Sequence, residues 1–425
     1  MLNIDTLFTG QKETDLNWLA KFKKKSFAKF TACGLPYKEI EEWKYANLDF
    51  FTNTNFTINK NLDFVTKINI EKFIFAANYN RIVFIDGVYQ ESLSHIQQND
   101  NLVICSLSKA FKIFPDKLEK YLKIDTAKNT TIFADLNNAF INDGVYIHIK
   151  NRAHIENPIH ILYLNSNKMA DLFLNPYNLI ILEEGSAANI IEHYDTLANN
   201  NHFTNTYNNI ILQNHTNLLH YTINNQAEMA TYINNSNICA QSGCNYQNFS
   251  FTLNGKFTRF DINHNFKQKN SSAKLYGFYQ ADKNRYVDYH TYLNHNAPDC
   301  MSHEFYKGII KEHATAVFNG KITVLANAHK THAELKNKNL LLHKTATINT
   351  KPELEIYADD VKCNHGATIG QIDNMALTYL RARGINELEA QKLLIFAFIN
   401  EILEIIPDKN ISHYLAKDLL GAQYV

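Results

Sequence analysis

The chain has 425 residues, 45% of them hydrophobic, and its 42 basic side chains are balanced by 42 acidic ones. That length allows two or three domains and a large core. The apolar content excludes a largely disordered chain, and the charge balance argues against a surface built for nucleic acid or an anionic membrane.

Only 14 Gly and 7 Pro stand beside abundant Asn, Tyr, Phe, Ile and Thr, a composition that predicts a strand-rich body whose turns lean on Asn. The first residues, Met1 to Asp15, lack a basic stretch followed by an apolar core, so no secretory leader is read there. Leu16, Leu19, Phe22 and Phe27 then recur at helical spacing. Gly34-Leu35-Pro36 breaks this helix, and Lys38 to Tyr45 resumes a short amphipathic turn. The basic cluster Lys21 to Lys25 reads as a solvated helix face. Arg81 to Tyr89 predicts a strand ending in a turn, Pro115-Asp116 opens a helix, and Ala134 to Ile141 suggests another.

From Gly144 the texture changes. Val145–Lys150, Ile159–Leu164, Asn178–Leu182, Tyr207–Leu212 and Ile322–Leu325 are short strand-like runs separated by Asn, Ser, Gly or Lys. Many short strands in series predict a barrel, a sandwich or a β-helix, and no strict hexapeptide or nonapeptide period selects among them. After Gln371 the pattern is helical again, with Asp373 as N-cap and Gly384 as a stop. Glu387 to Ile406 is apolar on most sides, so it requires cover on most sides. A partner protein or the chain's own body would supply it. Its longest apolar run, Leu393 to Ile399, is far below the roughly 20 residues of a spanning helix. These textures divide the chain into a mixed N-terminal region (1–143), a β-rich core (144–372) and a helical C-terminal region (373–425).

The six cysteines, at 33, 105, 239, 244, 300 and 363, form no Cys-x-x-Cys, and reduced thiols in a cytoplasmic protein are expected. Cys239 and Cys244 have part of a ferredoxin loop's spacing but no following pair. His290 and His295 stand an odd number of residues apart, which puts them on opposite faces of a strand. Asp359-Asp360, read on a strand, would also diverge. No phosphate loop or nucleophile elbow is present, so any ATP hydrolysis falls to another subunit. The strongest pair is Cys363 and His365, two residues apart on one strand face with backbones roughly 6.7 Å apart. Thiolate and imidazole so placed could share a transition metal, while a Cys on a strand face is also commonly a small core residue.

The stretch Thr350 to Gly370 resembles the signature of SufD, the scaffold-subunit family of the Suf iron–sulfur cluster machinery. Tyr286 to Cys300, Tyr306-Lys307-Gly308, Val317 to Lys321, Asn337 to Leu342 and Tyr379 to Ile385 extend the likeness, and Gly34-Leu35-Pro36 with Glu42-Trp43-Lys44-Tyr45 carries it more weakly toward the N-terminus. His329, His332 and Asn364 depart from the expected wording. The wording favours SufD over the related SufB.

The resemblance implies a mainly β chain: a right-handed parallel β-helix flanked by N-terminal and C-terminal helical domains. It implies a non-catalytic scaffold that pairs with SufB and binds the SufC ATPase through its C-terminal helices, or forms a homodimer when alone, without nucleic acid, membrane or bound nucleotide. In that picture Cys363 and His365 lie at the SufB interface as ligands for a transient Fe–S cluster or iron, and Leu393, Leu394, Phe396, Phe398 and Ile402 form the ATPase-docking helix. Two other readings are a carbohydrate-active β-helix enzyme and a purely structural partner subunit.

Overall fold

The computed structural model describes residues 3–11, 14–59, 68–97, 99–124, 131–166 and 169–420; residues 421–425 of the expected C-terminal region lie outside it. Nine α-helices are described: α1 (Asn3–Thr9), α2 (Asn17–Cys33), α3 (Asp49–Asn53), α4 (Leu107–Ile113), α5 (Pro115–Ile124), α6 (Ile132–Phe140), α7 (Asn374–Ala382), α8 (Glu387–Leu403) and α9 (Lys409–Leu420). The described strands begin with β1 (Asn80–Ile85), β2 (Val88–Tyr89), β3 (Leu102–Ser106), β4 (Val145–Ile149), β5 (Ile159–Asn165), β6 (Leu172–Leu174) and β7 (Tyr177–Leu182). They continue with β8 (Ala187–Thr196), β9 (His202–Leu212), β10 (Asn217–Asn225), β11 (Thr231–Ala240), β12 (Asn245–Thr252), β13 (Phe257–Phe266) and β14 (Ser272–Ala281). The last six are β15 (Tyr286–His295), β16 (Met301–Ile310), β17 (Thr315–Val324), β18 (Thr331–Leu341), β19 (Thr347–Ile356) and β20 (Val361–Gly370).

From β7 onward successive strands alternate between two sheets. One runs β2-β1-β5-β8-β10-β12-β14-β16-β18-β20, the other β19-β17-β15-β13-β11-β9-β7-β4-β3, and from β7 to β20 every pairing is parallel. The chain is therefore a two-sheeted parallel β-solenoid with helices at both termini. Strand periodicity decides what fills it, because alternate side chains point to opposite faces. In β18, Thr331, Ala333, Leu335, Asn337 and Asn339 are buried toward the lumen while His332 and Lys336 are exposed.

Rings stack from coil to coil in the lumen: Phe84 on Tyr163 and Tyr163 on Tyr194, each with centroids 4.9 Å apart, and Phe260 on Tyr289 at 4.6 Å. Each such ring contributes area burial plus about 0.5–1.5 kcal/mol of pair energy. Asparagines are stacked as well. Asn178 Nδ2 donates to Asn208 Oδ1 (2.9 Å), and Asn208 Nδ2 to Ser236 Oγ (3.1 Å). Asn is thus used within the strands as well as in the turns where composition predicted it. Of the nine described non-glycine residues with positive φ, only Asn270 is an asparagine. A carboxamide has both donor and acceptor, so one coil's Asn satisfies the next coil's.

Strand pairing also crosses position 143/144, since β1 pairs in parallel with β5 and β3 pairs antiparallel with β4. The mixed N-terminal region thus supplies strands to both sheets. Its expected strand at 81–89 is a hairpin turned at Asp86 (φ 50°) and Gly87 (φ 77°). Helices α2 and α6 contribute Phe30, Phe133 and Phe140 to an aromatic cluster with Trp43 and Phe51 over Phe203 and Phe257 on the outer face of one sheet. On the other sheet, α8 and α9 bury Ile399, Ile402, Leu403, Ile411 and Leu415 against Tyr221, Phe249, Phe251 and Phe278. The buried Lys307 ammonium pairs with Glu401 and lies 3.9 Å from the Phe398 ring, tying α8 to β16.

Candidate functional site at the open end of the solenoid

The last coil ends in two strands, β19 and β20, each paired on one side only. In β20 the register places Val361, Cys363, His365, Ala367 and Ile369 beside Thr331, Ala333, Leu335, Asn337 and Asn339. Cys363 and His365 therefore continue the lumen-facing row, as their spacing predicts, at the point where no further described coil covers it. Cys363 packs half-buried against the solenoid core, and His365 is exposed. From β19, Ile348, Thr350, Pro352, Leu354 and Ile356 continue the other inward row, in register with buried Ala316, Phe318 and Ile322 of β17. Ile356 and Ile369 remain 41% and 51% exposed. The last described coil thus leaves a partly uncovered core bordered by two strand edges, a feature that proteins commonly blunt or cover.

Burial pushes the Cys363 thiol up, against a smaller opposing effect of the Ala333 backbone hydrogen bond. The neutral thiol is thus favoured until a metal or a cation displaces its proton. Among the described residues, no three His, Cys, Asp or Glu side chains gather into a metal-binding group. A thiol and an imidazole are a suitable but incomplete donor set for iron.

The other sequence candidates fall elsewhere. His290 faces outward and His295 inward, where it stacks on Phe266 and contacts Ser302 Oγ at 2.9 Å. Cys244 is buried in the core, with Thr216 Oγ1 donating to its sulfur at 3.3 Å, whereas Cys239 lies on the outer row of β11. Asp359 and Asp360 sit in an exposed bend between β19 and β20, not on a strand. His329 and His332 are exposed, and His332 is on the outer face of β18, opposite the Cys363 row.

The apolar helix divides in two. Ile402 is fully buried against the chain's own body. Leu394, Phe396 and Phe398 are half-buried, and Leu393 is exposed. Sequence reading missed the more exposed apolar residues of α7 and α8: Met375 (81%), Tyr379 (57%) and Leu388 (62%). It also missed a buried ionic cluster behind the 34–45 segment. Arg259 forks onto Asp261 (2.8 Å) and Asp288 (2.7 Å), donates to the Glu42 carbonyl (2.7 Å) and stacks 3.8 Å from Trp43. The i, i+2 spacings Arg259/Asp261 and Asp288/His290 were a visible signal that these groups share one strand face.

The fold is thus a two-sheeted parallel solenoid with terminal helices and an exposed final coil. The description "SUF system FeS cluster assembly, SufBD core domain" matches residues 163–398, and "SufBD protein N-terminal region" matches 8–161. The chain belongs to the SufBD family of iron–sulfur cluster assembly proteins. It is 29% identical to iron–sulfur cluster assembly protein SufD of Escherichia coli over 380 residues, 89% of this chain and 87% of that one. It is 29% identical to a SufBD family protein of Synechocystis (88% and 84% covered) and 21% identical to SufD of Bacillus subtilis (96% and 94%). No described helix is long and apolar enough to cross a membrane.

Proposed function

We propose that this chain is a non-catalytic cytoplasmic scaffold subunit in iron–sulfur cluster assembly, and that it pairs through the open edges of β19 and β20 with a SufB counterpart. The observation that carries this reading is the termination of the lumen-facing row at Cys363 and His365 on an uncapped coil. In this reading the cluster or iron is cargo held transiently between subunits, and the partner adds the donors that this chain lacks. Membership of the family and the names of its relatives support an assembly role, and the unpaired edges support this mode of pairing. The exposed apolar residues Met375, Tyr379, Leu388 and Leu393 serve as the docking surface for a SufC-type ATPase, which binds the nucleotide. In the absence of SufB, the same edges would pair two copies of this chain.

The test uses the complete three-component complex. His365→Ala removes an imidazole without adding charge, and Cys363→Ser removes the thiol with little change in volume. Each is expected to reduce cluster formation several-fold while leaving subunit assembly and ATP hydrolysis near wild type. Wild-type rates of cluster formation in both variants would leave the residues as packing groups only. For the docking surface, Leu388→Asp with Leu393→Asp is expected to abolish co-purification of the ATPase, and retention at wild-type stoichiometry would refute it.

A further inference from the structure

The C-terminal helices rest on a patch of the solenoid whose titratable groups play no part in the proposed function. Ile159 and Ile161 of β5 face the lumen, as do Ile190 and Tyr194 of β8. By strand alternation His160 and His193 therefore face outward, yet they are only 1% and 0% exposed. Their rings stack with centroids 5.6 Å apart. Two elements close over them. Phe75, in the segment before β1, lies 4.7 Å from the His160 ring and 5.2 Å from the His193 ring. Tyr414 of α9 stands edge-on to Phe75 at 5.0 Å, and its hydroxyl meets His193 Nε2 at 3.3 Å.

The two rings have different company. His193 Nε2 has the Asp195 carboxylate at 3.5 Å, and Asp418 of α9 lies on the same side. The groups that act on His160 are Arg81, its register partner on β1, and His193 itself. Of the other charged groups nearby, Asp408 at the start of α9 is taken by the Tyr79 hydroxyl (2.6 Å), Lys72 lies over the Phe73 ring, and His413 of α9 is exposed. A neutral imidazole carries one N–H and an imidazolium two. His160 Nε2 is buried with no hydrogen-bond partner among the described residues, so an imidazolium at His160 would hold an N–H there with no acceptor. Burial, with smaller contributions from His193 and Arg81, keeps the His160 imidazole well below its ordinary 6.5.

We infer that His160 and His193 form an acid-sensitive latch for the C-terminal helices: protonation of His160 displaces Phe75 and Tyr414 and frees α9 from the solenoid. In the released form the ring stands in water and takes its proton at the ordinary value. The docked form excludes that proton, so docking is fully present above 6.5 and weakens as pH falls below it. From pH 7.5 to 5.5 one such imidazole weakens docking about tenfold. Ser412 Oγ of α9 donates to the Leu403 carbonyl at the end of α8 (3.3 Å), so α8 loses this support when α9 leaves.

Hydrogen–deuterium exchange on the full-length chain, corrected for the intrinsic pH dependence of amide exchange, measures the release. Peptides from α9 carry the signal, and peptides from β11 to β14 serve as the reference. Protection of α9 relative to the reference should fall about tenfold between pH 7.5 and 5.5. His160→Gln and His160→Phe both remove the titration, one keeping a polar side chain and the other a ring, and each should flatten the profile. A flat wild-type profile, or the same fall in a folded variant, would overturn the inference. So would equal loss in α9 and the reference strands, which is acid unfolding of the whole chain. Should neither variant fold, the wild-type chain decides: a fall confined to α9 supports the latch, and a flat or uniform response overturns it.

Discussion

Replacing Glu304 by Gln should change the pH dependence of stability in a direction and size that the fold dictates. Glu304 faces the lumen from β16, in register with Leu275 and Leu335, and is fully buried. Burial raises its carboxyl to about 8 from the model-compound value of 4.5, against a smaller opposing influence of the Thr291 hydroxyl. Between those two values the folded chain holds a proton that the unfolded chain has released. The wild type is therefore fully stabilised below pH 4.5 and loses that contribution as pH rises through 8, by about 1.4 kcal/mol per pH unit. From pH 5 to pH 7.5 the loss is about 3 kcal/mol. At an unfolding entropy of about 2.1 cal/mol/K per residue, this corresponds to roughly 4 °C for a chain of this length. Gln keeps the shape and removes the titration. The melting midpoint of Glu304→Gln relative to wild type should thus rise by roughly 4 °C across this window, whatever constant offset the amide introduces. Burial lowers His264 and His295 to about 3, which destabilises the fold as pH falls below 6.5, but both are present in each protein and cancel in the difference. Calorimetric scans at several pH values measure it, and a difference that stays flat from pH 5 to 7.5 would refute the claim that the folded chain keeps Glu304 protonated.

Trp43→Ala should cost about 3–5 kcal/mol, because it opens a cavity and uncovers the buried Arg259 cluster. Limited proteolysis within residues 34–48, with the strand signal retained in circular dichroism, is the measurement, and wild-type resistance would contradict the anchoring of this segment by Trp43 on Arg259. Gly308→Ala should destabilise by about 1–3 kcal/mol, because the added Cβ would lie 2.1 Å from the Tyr279 ring and 2.5 Å from Asn339 Oδ1. Gly366→Ala on the edge strand is the control, since its Cβ would meet nothing within 4 Å. Equal denaturant midpoints for the two variants would contradict the close packing around Gly308.

The strand-rich texture, the terminal helices and the shared face of Cys363 and His365 were legible in the sequence, because each follows from a local period. A repeat of two fixes which side chains share a strand face, and a repeat of 3.6 marked α2 and α8 as helices with apolar sides. The opposite facing of His290 and His295 followed from the same rule. Local periods cannot say what lies beside a strand. That β20 has no neighbour on one side, and so presents Cys363 and His365 at an open end, depends on stacking coils some 30 residues apart in the chain. Tertiary structure also decided that Ile402 is covered by the chain itself, that asparagines stack within the strands, and that Glu304 is fully buried. Trp43 meets Arg259 across 216 residues of sequence. In each case the deciding quantity is the company of a side chain, its burial and its partners, which chain folding sets at long range and no window of sequence contains.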